Sequence, residues 1–254
     1  MSAAAAGPLA GRRIAVTRPR EQAAALADEL ERLGAVAVVV PLIEIEPAPA
    51  KAALRAVARS LARTDWVVLT SASGVRALED ALSLVRGSDR TRIAAVGPAT
   101  AAEIRRLGLE PSFVPDRFAA EEIAHGLGDL QGKRVLLLQS DIASRRLAAD
   151  LAALGAIVDH AIAYATAAAQ PAAEELEELR RGVDAILLAS GSAARSLAAL
   201  ASDLPATRSA LLVCIGSKTA AVAREAGLEV GLVAEEATAQ GMIQALVSHY
   251  GESA

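Results

Sequence analysis

The chain has 254 residues, 26 basic and 30 acidic, for a net charge of −4, and alanine swells its 53% hydrophobic content. Aromatic residues make up only 2% (Trp66, Phe113, Phe118, Tyr164, Tyr250), and with no excess of basic charge this argues against a nucleic-acid partner. One cysteine, Cys214, forbids an internal disulfide, and three histidines (His125, His160, His249) share no ligand spacing, so no metal site is expected.

Along the chain, Met1 to Ala10 is small and uncharged, lacks the basic start of a secretory signal and reads as a frayed tail. Charged residues or prolines break every apolar stretch well short of the roughly 20 residues that span a bilayer. A cytoplasmic protein with no membrane partner is expected. Strands are predicted over 13–17, 36–40, 66–70 and 92–96, with a short one near Phe113. Five more follow at 135–138, 157–160, 185–188, 211–215 and 230–233. Short apolar runs bounded by polar residues suit strands buried on both faces of a parallel sheet, and Cys214 is expected inside one of them. Between strands, 22–33 sets Leu26, Leu30 and Leu33 on one helical stripe before Gly34 stops it. The segment 145–154 repeats this with Leu147, Leu151, Leu154 and Gly155.

That likeness is part of an internal repeat of about 120 residues, far longer than a solenoid period. GRRIAVTRPREQAAALADELERLG (11–34) aligns without a gap on GKRVLLLQSDIASRRLAADLAALG (132–155). DWVVLTSASGVRAL (from Asp65) aligns with DAILLASGSAARSL (from Asp184), and AVGPATAAEIRRLGLE (from Ala95) with CIGSKTAAVAREAGLE (from Cys214). Two copies of one α/β pattern, each with five βα units in an open doubly wound parallel sheet, are therefore expected. After the second strand of each copy the pattern breaks. Residues 41–49 (PLIEIEPAP) alternate apolar and acidic, and their counterpart is 161–166 with Pro171 beyond. These segments read as linkers that could pair as a two-stranded bridge, the chain crossing twice. The expected division is 1–42 with 167–254, a second lobe over 47–162, and a linker ladder of 43–46 and 163–166.

Chemistry concentrates in the loops at the strand ends: Thr17-Arg18, Thr70-Ser71-Ala72-Ser73-Gly74, Gly97-Pro98-Ala99-Thr100, Ser190-Gly191-Ser192 and Gly216-Ser217-Lys218-Thr219. In open α/β sheets ligands sit beyond the carboxyl ends of the strands. Each of these loops opens a helix, whose free N–H groups and partial positive end favour an anion. Ser73, Thr100, Ser192 and Thr219 could singly be helix caps. Their recurrence in both copies points to a carboxylate-binding cleft, lined also by Arg18, with Tyr164 on the bridge. Gly216-Ser217-Lys218-Thr219 lacks the earlier glycine of a triphosphate-binding P-loop. The pairs Glu121-Glu122, Glu174-Glu175 and Glu177-Glu178 read as solvated helix faces, and His160 as a structural residue.

The series Val16-Thr17-Arg18-Pro19, Leu69-Thr70-Ser71-x-Ser73-Gly74-Val75, Ala95-Val96-Gly97-Pro98-x-Thr100-Ala101, Tyr164 and Ile215-Gly216-x-x-Thr219-Ala220 resembles the uroporphyrinogen-III synthase family, from about Gly11 to Leu246. The resemblance implies two similar doubly wound, flavodoxin-like lobes joined by a two-stranded linker. It implies a cofactor-free enzyme that takes the linear tetrapyrrole hydroxymethylbilane, expels its terminal hydroxyl, inverts ring D and closes the macrocycle. Tyr164 matches the bridge tyrosine, whose phenol could donate to the departing hydroxyl. Thr100 and Thr219 match paired threonines, and Ser71 and Ser190 the strand-end serines. Departures are Ala189, where the first copy has Thr70, Gly191 in place of a frequent proline, Ala165 after Tyr164, and Gln139-Ser140-Asp141 where an arginine and glycine are common. The implied partner is the small-molecule substrate, with transient contact to the preceding pathway enzyme left open, and a monomer is expected. The alternatives are a two-lobed receptor for an anionic metabolite and a cofactor-independent racemase. The latter is disfavoured because only Cys214 is present.

Overall fold

The computed structural model describes residues 7–47, 61, 63–77, 79–82, 90–116, 120–201, 204, 207 and 209–251. In chain order the elements are β1 (Arg13–Val16), α1 (Arg20–Arg32), β2 (Val36–Val39), β3 (Ile43–Pro47), β4 (Trp66–Leu69), α2 (Ala72–Ala77), α3 (Glu79–Leu82), β5 (Arg92–Ala95), α4 (Pro98–Arg106) and α5 (Ala120–Gly126). They continue with β6 (Arg134–Ser140), α6 (Arg146–Ala153), β7 (Ile157–Ala168), α7 (Ala173–Arg180), β8 (Ala185–Leu188), α8 (Gly191–Leu200), β9 (Leu211–Cys214), α9 (Ser217–Glu225), β10 (Leu232–Val233) and α10 (Ala239–Gly251).

The strands form two five-stranded sheets, ordered β10-β9-β8-β1-β2 and β3-β7-β6-β4-β5. The described ladders are parallel. Phe113, placed near a short strand by the sequence, makes an isolated parallel bridge to Ala94 at the β5 edge. The chain divides into two compact units, residues 1–44 with 167–254, and residues 45–166. Each sheet mixes the two copies of the repeat. The first joins β1 and β2 to β8, β9 and β10, and the second joins β4 and β5 to β6 and β7.

Burial follows from that order. All four residues of β4 and of β8 are buried, because both are interior strands covered on each face. In the first unit one face of the sheet packs Ile186, Leu188 and Cys214 under α7, α8 and α9. The other packs Ile14, Val16 and Leu187 under α1 and α10. Burial pushes the Cys214 thiol up, as suits a core residue. In the second unit α2 and α4 cover Leu69, Leu136 and Leu138, and α5 and α6 cover Val68, Val135 and Leu137.

Two aspartates fasten the seam between copies. Asp184, just before β8, accepts a hydrogen bond from the Arg13 N–H at 2.8 Å. Its own N–H donates to Arg13 O at 2.7 Å and its carbonyl accepts from Leu211 at 2.9 Å. Asp65, before β4, does the same between β6 and β5: its carboxylate accepts from the Arg134 N–H at 2.9 Å. Its N–H donates to Arg134 O at 2.9 Å, and its carbonyl accepts from Arg92 at 2.9 Å.

Several expectations need correction. The expected frayed tail is ordered where it is described, and residues 1–6 lie outside the described residues. Leu9 is fully buried with Leu26 and Leu30, and its N–H donates to Leu33 O at 3.0 Å. Leu154 is 39% exposed, because α6 ends at Ala153 and leaves it past the last buried turn, where Gly155 takes a φ of +87°. The expected strand 157–160 and the linker after it form one strand, β7, which neighbours β3. Pro41 and Leu42, read as linker, are buried, with Leu42 packed in the core under α7. Glu175 is no solvated residue, since its 15%-exposed carboxylate meets Arg20 at 2.6 Å and accepts from the Ala172 N–H at 2.8 Å. The hydrogen bond from Arg13 at 2.7 Å holds the Glu178 carboxyl below its usual range. Pro49, Phe118 and the side chain of Glu121 lie outside the described residues.

If the aspartate staple holds the seam, Asp184→Ala lowers stability by about 1–2 kcal/mol, the cost of leaving a strand-end N–H unpaired, discounted for partial exposure. Urea unfolding checks this, and a change below about 0.3 kcal/mol removes the staple from the account.

Candidate functional site

In a doubly wound sheet the crevice opens where neighbouring strands send their connections to opposite faces. In the first unit that point lies between β1 and β8. Thr17, at the end of β1, is fully buried and its hydroxyl donates to Leu187 O at 2.6 Å, a bond across the seam. Arg18 follows, half-buried, and donates to Gln22 Oε1 at 3.2 Å along α1. Across from it, Ser190 caps α8, its Oγ accepting from the Ala193 N–H at 3.2 Å. Ser192 is half-buried in the first turn. A Cβ at Gly191 would stand 3.0 Å from Val222 Cγ2 on α9, so a side chain there requires Val222 to give by a few tenths of an ångström.

Beside this point, β9 ends in Gly216-Ser217-Lys218-Thr219. Gly216 is the N-cap of α9 and makes no side-chain cap. Its backbone is extended and a Cβ would meet only Ala237 at 3.6 Å, so conformation does not demand glycine there. A missing side chain leaves the first N–H groups of α9 uncovered, where their partial positive charge can meet an anion. Ser217 and Lys218 are exposed, while Thr219 is 7% exposed against the helix base.

The second unit repeats this at the point between β6 and β4. The Thr70 hydroxyl donates to Leu138 O at 3.4 Å, a longer version of the Thr17 bond. Ser71 Oγ accepts from the Gly74 N–H at 3.0 Å, and Ser73 is buried. Gly97 caps α4 without a side-chain bond, Pro98 fills the first helical position, and Thr100 is 4% exposed. The pattern of glycine cap, two exposed residues and a buried threonine is thus the same in α4 and α9.

Tyr164 belongs to the second unit. It pairs with Ser140 across a β-bulge that falls between Gln139 and Ser140, opposite Ala163. The extra residue lets both Ala163 and Tyr164 pack on the α2 face, whereas strict alternation would turn Tyr164 away. A Cβ on Gly74 would lie 3.7 Å from Tyr164 Cε1, 3.6 Å from Ala163 Cβ and 3.3 Å from Ser71 Oγ. Tyr164 and Ser71 are therefore brought together at the start of α2. Sequence reasoning missed the neighbouring Asp141. Its N–H donates to Tyr164 O at 3.1 Å, and its carboxylate accepts from the Thr166 N–H at 3.0 Å, tying this loop to β7. Its adjacency to the strand end was the available signal. His160 is exposed on β7.

Among the described residues no group of three or more His, Cys, Asp or Glu could hold a metal ion, and no helix is long and apolar enough to cross a membrane. Fold and strand-end loops together define an α/β protein of two parallel-dominated sheets, with anion-suited helix starts in each unit. A family profile described as "Uroporphyrinogen-III synthase HemD" matches residues 24–244. The "Porphyrin biosynthesis protein HemD" of Ruminiclostridium josui is 30% identical over 249 residues, 94% of this chain. The chain spans about half of that relative's length, 49%. The "Uroporphyrinogen-III synthase" of Synechococcus elongatus is 29% identical over 252 residues, covering 94% of this chain and 96% of its own. A crystal structure of a mutant uroporphyrinogen III synthase from Thermus thermophilus shares the fold, with a TM-score of 0.61 at 24% identity over 96% of this chain and 100% of that one. The chain belongs to the uroporphyrinogen-III synthase family, cyclising lyases of tetrapyrrole biosynthesis.

The cap bonds generate a stability prediction. Ser190→Ala and Ser71→Ala should each cost about 1 kcal/mol, the usual worth of an N-cap. Thermal unfolding of the two variants measures it, and an unshifted melting temperature would free both hydroxyls for another role.

Proposed function

We propose that this chain cyclises hydroxymethylbilane to uroporphyrinogen III with inversion of ring D. The observation that carries the reading is the twinned helix start. Gly97 and Gly216 leave the first amides of α4 and α9 uncovered, each above a buried threonine, in a chain of this enzyme family. The substrate bears eight carboxylates, and such helix starts supply complementary donors. Family membership favours catalysis over the receptor alternative.

In this reading the units are flavodoxin-like lobes, about 1–42 with 167–254 and 47–162, joined by the ladder of 43–46 and 163–166. Renumbered within the first unit, its strand order is 2-1-3-4-5, which supports the assignment. Arg18, Ser71, Ser73, Gly97, Thr100, Ser190, Ser192 and the run from Gly216 to Thr219 hold carboxylates, with Arg18 and Lys218 supplying positive charge.

Tyr164 acts as the general acid. Its phenol protonates the terminal hydroxyl, the C–O bond breaks and water leaves. The freed carbon bonds to the substituted α-carbon of ring D. The bond from that α-carbon to its methylene bridge breaks and re-forms at the ring's other α-carbon, which inverts the ring, and the proton lost from that carbon restores the phenol. Much of the remaining acceleration comes from holding the flexible chain so that ring D closes inverted.

Chromatographic separation of uroporphyrinogen isomers tests the activity directly, and a chain that forms no type III isomer overturns the reading. Tyr164→Phe should lower turnover by about 10²-fold or more with folding intact, as general acid help is ordinarily worth. A rate within about twofold of the original would assign Tyr164 to packing.

Thr219→Val and Thr100→Val should each weaken product binding by about 1 kcal/mol, or more where the acceptor is charged. The loss should be larger at low salt, where carboxylates are less screened. Unchanged affinity alongside a lower melting temperature would make the pair structural.

A further inference from the structure

At the end of β6, Gln139 is 5% exposed and its side-chain oxygen Oε1 is buried without a hydrogen-bond partner among the described residues. Shielding an acceptor from water without replacing its hydrogen bond costs stability, so natural chains seldom tolerate it away from working sites. The place is specific. Gln139 is the last residue but one of β6 in the second unit, directly before the bulge that aims Tyr164. Leu69 pairs with Leu138, so Thr70 is the residue beyond it, yet the Thr70 hydroxyl goes to Leu138 O rather than to Gln139. Opposite Gln139 in the β7 register stands Ile162, a large apolar side chain left 43% exposed.

The repeat adds a second observation. Aligning 11–34 on 132–155 puts Gln139 where the first copy has Arg18. The two crevices therefore differ in kind at equivalent positions, one offering a cation and the other a neutral acceptor. An ionised carboxylate has no hydrogen to give such an acceptor. A pyrrole N–H does.

Resting on the reading above, we propose that Gln139 is a substrate-binding residue whose side-chain carbonyl accepts a hydrogen bond from a pyrrole N–H of the tetrapyrrole.

The test uses the full chain and Gln139→Met, an apolar residue of similar length that removes the acceptor. Isomer-resolved kinetics with hydroxymethylbilane are run at ~0.05 M and ~0.5 M salt, alongside thermal unfolding. KM should rise about 5–10-fold with kcat within about twofold, the worth of one hydrogen bond made before the chemical step. The melting temperature should hold or rise, since an unpaired buried oxygen has gone. The KM ratio between variant and original should be the same at both salt concentrations, because the pair is uncharged. A KM within about twofold of the original overturns the assignment. So does a lowered melting temperature, which would reveal a partner inside the protein, or a KM ratio that shrinks with salt, which would mean a charged ligand group. An original chain inactive toward hydroxymethylbilane overturns the proposed function instead, and is told apart because no variant is needed to see it.

Discussion

The structure depends on a pairing that neither copy of the repeat can make alone. The opening strand of each copy lies beside the third strand of the other, β1 against β8 and β6 against β4. Asp184 and Asp65 hold these seams by spending both a carboxylate oxygen and their own backbone groups on the neighbouring strands. Thr17 and Thr70 close the same seams at the other end. Each pair of neighbours is thus pinned at both ends, and each seam is also the point where the sheet's connections diverge. The constraint that builds the fold therefore also sets where the strand-end loops of each unit stand.

The residues at the crevices divide the work. The threonines that end β1 and β4 turn inward and bond to backbone, and Ser190 and Ser71 spend an oxygen on capping. The glycine-started helices α4 and α9 do the reverse, leaving amides uncovered and setting a threonine just beneath. This costs some helix stability and yields donors suited to anions. Surface ion pairs matter less. Those between Arg105 and Glu110 or Arg106 and Glu79 are solvent-exposed and weak, so the ordering of the site rests on backbone pairing and packing.

The bulge at Ala163 shows how a small irregularity redirects chemistry. In a regular ladder Tyr164 would share a face with Ile162 and His160. With one extra residue on β7 it shares the face of Ser140 and the start of α2 instead. A Cβ on Gly74 would meet the Tyr164 ring at 3.7 Å, an ordinary van der Waals contact, so the start of α2 packs directly beside that face.

Much of this was legible in the sequence because it is local. The expected strands 66–70 and 185–188 are the interior strands Trp66–Leu69 and Ala185–Leu188, and Gly34 and Gly155 end their helices with positive φ. These depend on periodicity and turn chemistry within a few residues, which amino-acid order alone encodes. The repeat also foretold that the loops would come in twins. Tertiary structure alone decided what depends on neighbours distant in the chain. Leu9 is core because α1 folds back over it, and Glu175 is half-hidden because Arg20 approaches from another helix. Ala163 and Tyr164 share a face because β6 and β7 slip by one residue. Gln139 keeps an unpaired oxygen because Thr70 bonds elsewhere. Register and partnership between strands far apart in sequence are set by packing, which no local pattern records.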